Sequence, residues 1–263
     1  MKAIFLIIMA SLLLTACRQD ELGNMTINDA FDTKTAAFVG AVHDHDFIKA
    51  DILLSQGVDI NAVGVEGITP LLWVMLTDRN ATSIAFMLKR QADPNYVVPN
   101  RMVSAMYFAT GGNRKDLLEL ILQYGGNPSL IGPDNESMLM IAITQRREEY
   151  FDLLIKHGAD INWHNKHGHS AAWQTLTPGR FDWTFYFLEK GYDADLQSLA
   201  SSVETRPASD DMQRWKEKVI DLLKEKGAKF PAGPRVKNYI DKHRITEKNV
   251  IDDLIYGRQP TLN

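Results

Sequence analysis

A single cysteine, Cys17, stands among 263 residues, so no disulfide can form within the chain. Beyond Leu14 no apolar run approaches the roughly 20 residues that a membrane helix needs. Acidic residues (33) slightly outnumber basic ones (29), for a formal net charge of −4. That balance supplies no basic footprint for nucleic acid. No G-x-S-x-G elbow, no phosphate-binding glycine loop and no H-E-x-x-H pair occurs, and no cysteine other than Cys17 is available as a nucleophile. Neither an enzyme nor a cofactor is expected. What remains is 45% hydrophobic and 24% charged residues, an ordinary balance for a globular body.

The chain opens MKAIFLIIMASLLLTAC: one lysine, an apolar run from Ala3 to Leu14, then Leu14-Thr15-Ala16-Cys17. A charge, a short apolar stretch and small residues form the layout of an export signal, so residues 1–16 are predicted to be a signal peptide. The closing Leu-x-Ala-Cys resembles the lipobox of bacterial lipoproteins. The resemblance implies a diacylglycerol on the Cys17 sulfur and a third acyl chain on its freed amine, more than the two signals that stable anchoring takes. The alternative is an ordinary secretory signal with a chance cysteine, a poor choice of lone thiol for an oxidising compartment. Arg18 follows the cysteine, which in lipoproteins of enteric type implies sorting to the outer membrane. The expected location is therefore the periplasm, with membrane contact through the lipid anchor, and residues 17–27 read as the lipidated cysteine and its tether.

A period organises the rest. LLSQGVDIN (53–61), MLKRQADPN (87–95), ILQYGGNPS (121–129), LIKHGADIN (154–162) and FLEKGYDAD (187–195) align, with Gly57, Gln91, Gly125, Gly158 and Gly191 recurring at intervals of 34, 34, 33 and 33. A sixth copy places Gly227 after 36 residues, and the extra residues are predicted in the polar stretch 201–211. Each copy carries an apolar helical pattern, such as Leu117, Leu118, Leu120, Ile121 and Leu122. The glycine after it can take the left-handed conformation that ends a helix. Gln91 lacks that freedom, which predicts a weaker or differently capped end. A new helix then opens at Thr69-Pro70, a capping hydroxyl before a proline whose missing N–H the first turn does not need. Ser137 and Ser170 can cap in the same way, whereas Val103 cannot.

GVDINAVGVEGITPLL (57–72) and GADINWHNKHGHSAAW (158–173) resemble the ankyrin repeat, G-A-D-x-N followed by a hairpin loop and T-P-L-H-x-A. The resemblance spans about residues 28–230. It implies an all-α ankyrin-repeat solenoid of five to six helix-turn-helix units with short hairpin loops, a fold that binds proteins. Leu72, Met106, Met140 and Trp173 replace the family's histidine, which implies hydrophobic stacking in place of loop-to-loop hydrogen bonds. Stacked units need polar ends. The first unit, 28–57, and a C-terminal helical cap within 231–263 are expected to provide them.

On this frame the histidines of KHGADINWHNKHGHS (156–170) separate. His157 precedes a helix-ending glycine, while His164, His167 and His169 lie on a loop around Gly168. Metal ligation needs three or four converging donors, and no metal is expected here or at His43-Asp44-His45-Asp46, which reads as an inter-helix turn. The loop reads either as solvated or as a recognition tip. In ankyrin proteins such tips face partners, so the resemblance implies a partner-binding set: Val65, Glu66 and Ile68; Asn100 and Met102, after Pro99; Asp134 and Glu136, after Pro133; and Trp163, His164, Lys166, His167 and His169. Trp163 is expected to be exposed, whereas Trp73, Tyr107 and Trp173 are expected in the core. Among families that join a lipoprotein signal to ankyrin repeats, the chain is most similar to immunity lipoproteins that occlude phospholipase toxins of type VI secretion. An envelope scaffold that recruits or stabilises a periplasmic enzyme is the alternative.

Overall fold

A computed structural model describes residues 25–259; the expected signal peptide and Cys17 lie outside them. The described chain is helical, and its contacts divide it into two compact units, residues 25–142 with 149–159, and 143–148 with 160–259.

In the first unit a short α1 (Ile27–Ala30) leads into the helix pairs α2 (Thr33–His43) with α3 (Phe47–Ser55), α4 (Pro70–Thr77) with α5 (Ala81–Lys89), and α6 (Ala105–Gly111) with α7 (Lys115–Gln123). Helix α8 (Met138–Thr144) and the short α9 (Phe151–Lys156) follow. The inner helices α2, α4 and α6 stack in order, and α5 packs on α7 behind them. Phe38, Val39, Leu71, Val74, Ile84, Met87, Met106, Leu118 and Ile121 form the core between them. In the second unit α10 (Ala171–Gln174) pairs with α11 (Phe181–Glu189) and α12 (Leu196–Thr205) with α13 (Asp210–Glu225), after which α14 (Pro234–His243) and α15 (Lys248–Tyr256) complete the described chain.

The inner helices start as their sequences dictate. Thr69 accepts from the Leu72 amide, Ser137 from Met140 and Ser170 from Trp173. The second loop differs. It is one residue longer, pairs β1 (Val97–Val98) with β2 (Val103–Ser104), and thereby delivers Ser104 to the cap position, where its hydroxyl accepts from the Tyr107 amide at 3.2 Å. The cap expected to be missing at Val103 is thus supplied one residue later.

The helix ends bring a second correction. Gln91 adopts φ +67°, the left-handed conformation that Gly125 takes at +86°. The Gln91 amide donates to the Leu88 carbonyl and the Ala92 amide to Met87, as Gly125 and Gly126 donate to Leu122 and Ile121. The cap is the same one, held by a side chain that pays for it in strain.

The sixth copy is built differently. From Gly191 only three residues lead to Asp195, which caps α12, so this copy has no hairpin. The stretch 201–211, where the extra residues are expected, forms the end of α12, the link 206–209 and the start of α13; α12 has 10 residues and α13 has 16, against 9 for α7 or α11.

Neighbouring copies are tied by an amide ladder. Asn61 Nδ2 donates to the Gln91 carbonyl at 3.1 Å and its Oδ1 accepts from the Asp93 amide at 2.8 Å. Asn95 repeats this with Gly125 and Asn127, at 2.9 and 2.7 Å. Ser129 makes half of it, its hydroxyl donating to the Gly158 carbonyl. In the second unit Asn162 accepts from the Asp193 amide, and Gln197 brackets Lys229. Of the residues at the position three after each cap, Leu72 and Met140 are buried and Trp173 is half-buried; in the second loop the insertion puts the half-buried Tyr107 there in place of the expected Met106, which is buried one residue earlier.

Candidate interaction surface

The hairpins are built alike. Gly64 donates to the Ile68 carbonyl at 2.8 Å, Gly132 to Glu136 at 2.9 Å and Asn165 to His169 at 2.9 Å. At the tips Glu66 and Gly67, then Asp134 and Asn135, hold positive φ, as does Gly168 in the fourth loop. Two consecutive left-handed residues reverse the chain tightly. In the fourth loop the Asn165 side chain braces the turn, accepting from the His167 and His169 amides. In the first loop a Cβ on Gly64 would lie 2.3 Å from the Ala30 carbonyl and 2.8 Å from the Phe31 ring, so α1 packs directly under the hairpin.

In the first unit Val65, Glu66, Asn100, Met102 and Asp134 are exposed, and Arg101 Nη2 lies 3.3 Å from Glu66 Oε2, linking adjacent tips. In the second unit His164, Lys166 and His167 are exposed. Four residues of the expected set depart from it. Ile68 is buried, at 7% exposure, because the residue before the helix cap turns inward beneath the hairpin. Glu136 and His169, which share that register, are half-buried, and so is Trp163, whose register partners Ala62, Tyr96 and Leu130 are half-buried too. Val63, at 58% exposure, was missed; it sits one position after that half-buried register.

The half-buried pair is chemically distinct from the tips. Burial, with the charge of Asp134 beside it, pushes the Glu136 carboxyl up to about 7. Burial and the neighbouring His167 lower the His169 imidazole, which lies flat on Trp173 with centroids 3.5 Å apart. Trp173 Nε1 in turn donates to the Ser202 hydroxyl. Trp73 is buried against Phe31, as expected, while Tyr107 is half-buried.

Elsewhere, His43 ends α2, Asp44 and His45 form the turn to α3, and Asp46 caps α3. Among the described residues no three His, Cys, Asp or Glu side chains come together as metal ligands do. A shallow cavity of about 70 Å³ in the first unit is lined by Met75, Leu76, Tyr107, Phe108 and Leu117, with Arg79 and Arg114. It is far smaller than the several hundred Å³ typical of small-molecule and cofactor sites.

Residues 134–163 match the ankyrin repeat family. Both units are all-α stacks of ankyrin-type helix pairs. A putative ankyrin repeat-containing protein of Treponema pallidum (strain Nichols) is 24% identical over 134 residues, covering 51% of this chain and 45% of its own length. The chain thus aligns with less than half of that relative. Ankyrin repeats are protein-interaction modules, and a face of stacked, braced hairpin tips is suited to that work.

Proposed function

We propose that the protein is a membrane-anchored immunity module that binds a phospholipase toxin of type VI secretion in the periplasm and covers its active-site mouth. The observation that carries the reading is the set of hairpin tips. They are braced by the amide ladder and by tight turns, and they present Val63, Val65 and Met102 together with Glu66, Asn100 and Asp134 in one unit, and His164, Lys166 and His167 in the other. Rigid tips that mix apolar and charged groups give a partner both shape and charge to match, at little entropic cost on binding. The Leu-x-Ala-Cys sequence supports the anchor. A lipid on Cys17 would hold the inhibitor in the layer where a phospholipase must act, which raises its effective concentration there. Occlusion requires no catalytic residue.

The test is co-purification of the tagged protein from lysate of its source organism, followed by assay of the captured protein on phospholipid. A stoichiometric secreted lipase whose activity the purified protein suppresses is the expected result. Capture of a housekeeping envelope enzyme in its place would replace the immunity reading with that of a scaffold.

A further inference from the structure

Helix α14 is unlike the rest of the molecule. None of its residues is buried. Arg235, Lys237, Lys242, Arg244 and Lys248 are all exposed, and none has an ion-pair partner among the described residues. Five cations stand against Asp241 and Glu247 between residues 234 and 248, in a chain whose formal net charge is −4.

At about 100° per residue, Arg235, Tyr239 and Lys242 fall within one narrow stripe of α14, roughly 10 Å long, with Asn238 and His243 at its margins. Asp241 lies about 100° round from Lys242. Tyr239, at 49% exposure, stands between the two cations and packs against His243 at 4.4 Å. Val236 and Ile240, about 100–140° round from Arg235, are half-buried, while the exposed Lys237 lies on the far side of the helix from the stripe.

The stripe is also held in place. The amides of Ala232 and Gly233, immediately before α14, donate to the two oxygens of the buried Glu204 carboxylate at 2.9 and 2.8 Å. Beside it the buried Lys216 ammonium donates to the Glu204 and Arg206 carbonyls, at 3.3 and 2.7 Å. Gly257, which ends α15, fits closely over Lys216: a Cβ there would lie 2.9 Å from Nζ. The segment is therefore pinned at both ends to α12 and α13.

We propose that this face of α14, with Arg244 and Lys248 beyond it, binds the anionic headgroups of a phospholipid bilayer. Cations without partners suit a diffuse negative surface, which asks for no directional pairing. An exposed tyrosine set among them is the side chain that places an apolar ring and a polar tip at a headgroup boundary. The inference goes beyond the immunity reading and needs no protein partner.

The full chain should be sedimented with vesicles of phosphatidylcholine alone and with vesicles containing about a third phosphatidylglycerol. Uptake through the N-terminal run, which Lys2 and Arg18 flank, is common to the natural protein and the double variant Arg235→Glu with Lys242→Glu, so the difference between these two on anionic vesicles isolates the charged face. Each cation near an anionic surface contributes about fivefold to partition. The anionic vesicles should therefore take up more protein, and the difference should vanish in about 500 mM salt. Arg235→Glu with Lys242→Glu should reduce it by about 25-fold or more. Both side chains are exposed, so an unchanged melting transition certifies the fold of the double variant. Equal uptake on the two lipids would overturn the proposal, as it would if α14 serves an acidic protein instead. A preference for anionic vesicles that survives the double substitution would overturn it too. Failure of the immunity reading would show in partner capture, which uses no lipid.

Discussion

Two residues hold conformations or charges that their surroundings do not reward. Gln91 takes the left-handed region at a helix end where Gly57, Gly125, Gly158, Gly191 and Gly227 stand in the other copies. A side chain there costs about 1 kcal/mol relative to glycine. Its backbone hydrogen bonds do not depend on the side chain, so Gln91→Gly should stabilise the protein by about 0.5–1 kcal/mol, read as a higher urea midpoint with unchanged slope. Glu136 is the second. Its carboxyl is raised to about 7 by burial and by Asp134, so between its unfolded value of about 4.5 and 7 the folded state binds more protons than the unfolded state. Stability therefore falls as pH rises through that window, and the full penalty, on the order of 3 kcal/mol, stands above about pH 7. Glu136→Gln should raise the melting temperature at pH 8 and leave it nearly unchanged at pH 4. A gain of equal size at both pH values would mean that packing, and not charge, is relieved.

At the scale of elements, the amide ladder is made by the asparagine that closes the G-x-D-x-N stretch, so hydrogen bonds do join neighbouring loops although the histidine of the ankyrin pattern is absent. Asn95 joins two copies through the Gly125 carbonyl and the Asn127 amide, and its replacement leaves both groups to water. Asn95→Ala should lower the unfolding free energy by about 1–2 kcal/mol and speed amide exchange at Asn127 first. The helix pairs and their order were legible in the sequence because the register of Gly57, Gln91, Gly125, Gly158, Gly191 and Gly227 marks the end of the second helix of each copy. Less legible was which loop residues turn inward. Ile68, Glu136 and His169 share one register, yet only the first is apolar, so no hydrophobic pattern betrays the burial of the other two. The cap at Ser104 was hidden by a one-residue insertion that shifts the register locally. A further regularity is local: Arg114 and Arg180 precede α7 and α11 without a side-chain cap, and each guanidinium pairs instead with the acid two residues on, Arg114 with Asp116 at 2.7 Å and Arg180 with Asp182 at 2.8 Å. The repeated Arg-x-Asp is its sequence signature.

For the whole molecule, the loop-tip interface makes a claim that stability and binding can separate. Glu66 and His167 lie on exposed tips, one in each unit. Among the described residues Glu66 pairs with Arg101, and an exposed ion pair of this kind contributes about 0–1 kcal/mol. Glu66→Lys and His167→Glu should therefore each leave the thermal transition almost unmoved. At an interface each substitution sets an unmatched charge against the partner's complement, which costs more than an exposed pair contributes and acts mainly on the association rate. Glu66→Lys and His167→Glu should each weaken partner binding by about tenfold, with a steeper loss at low salt, and the two effects should add because the sites share no partner. If both variants bind as the natural protein does, the tips are not the interface. The apolar cavity lined by Met75, Tyr107 and Phe108 would then become the next surface to substitute.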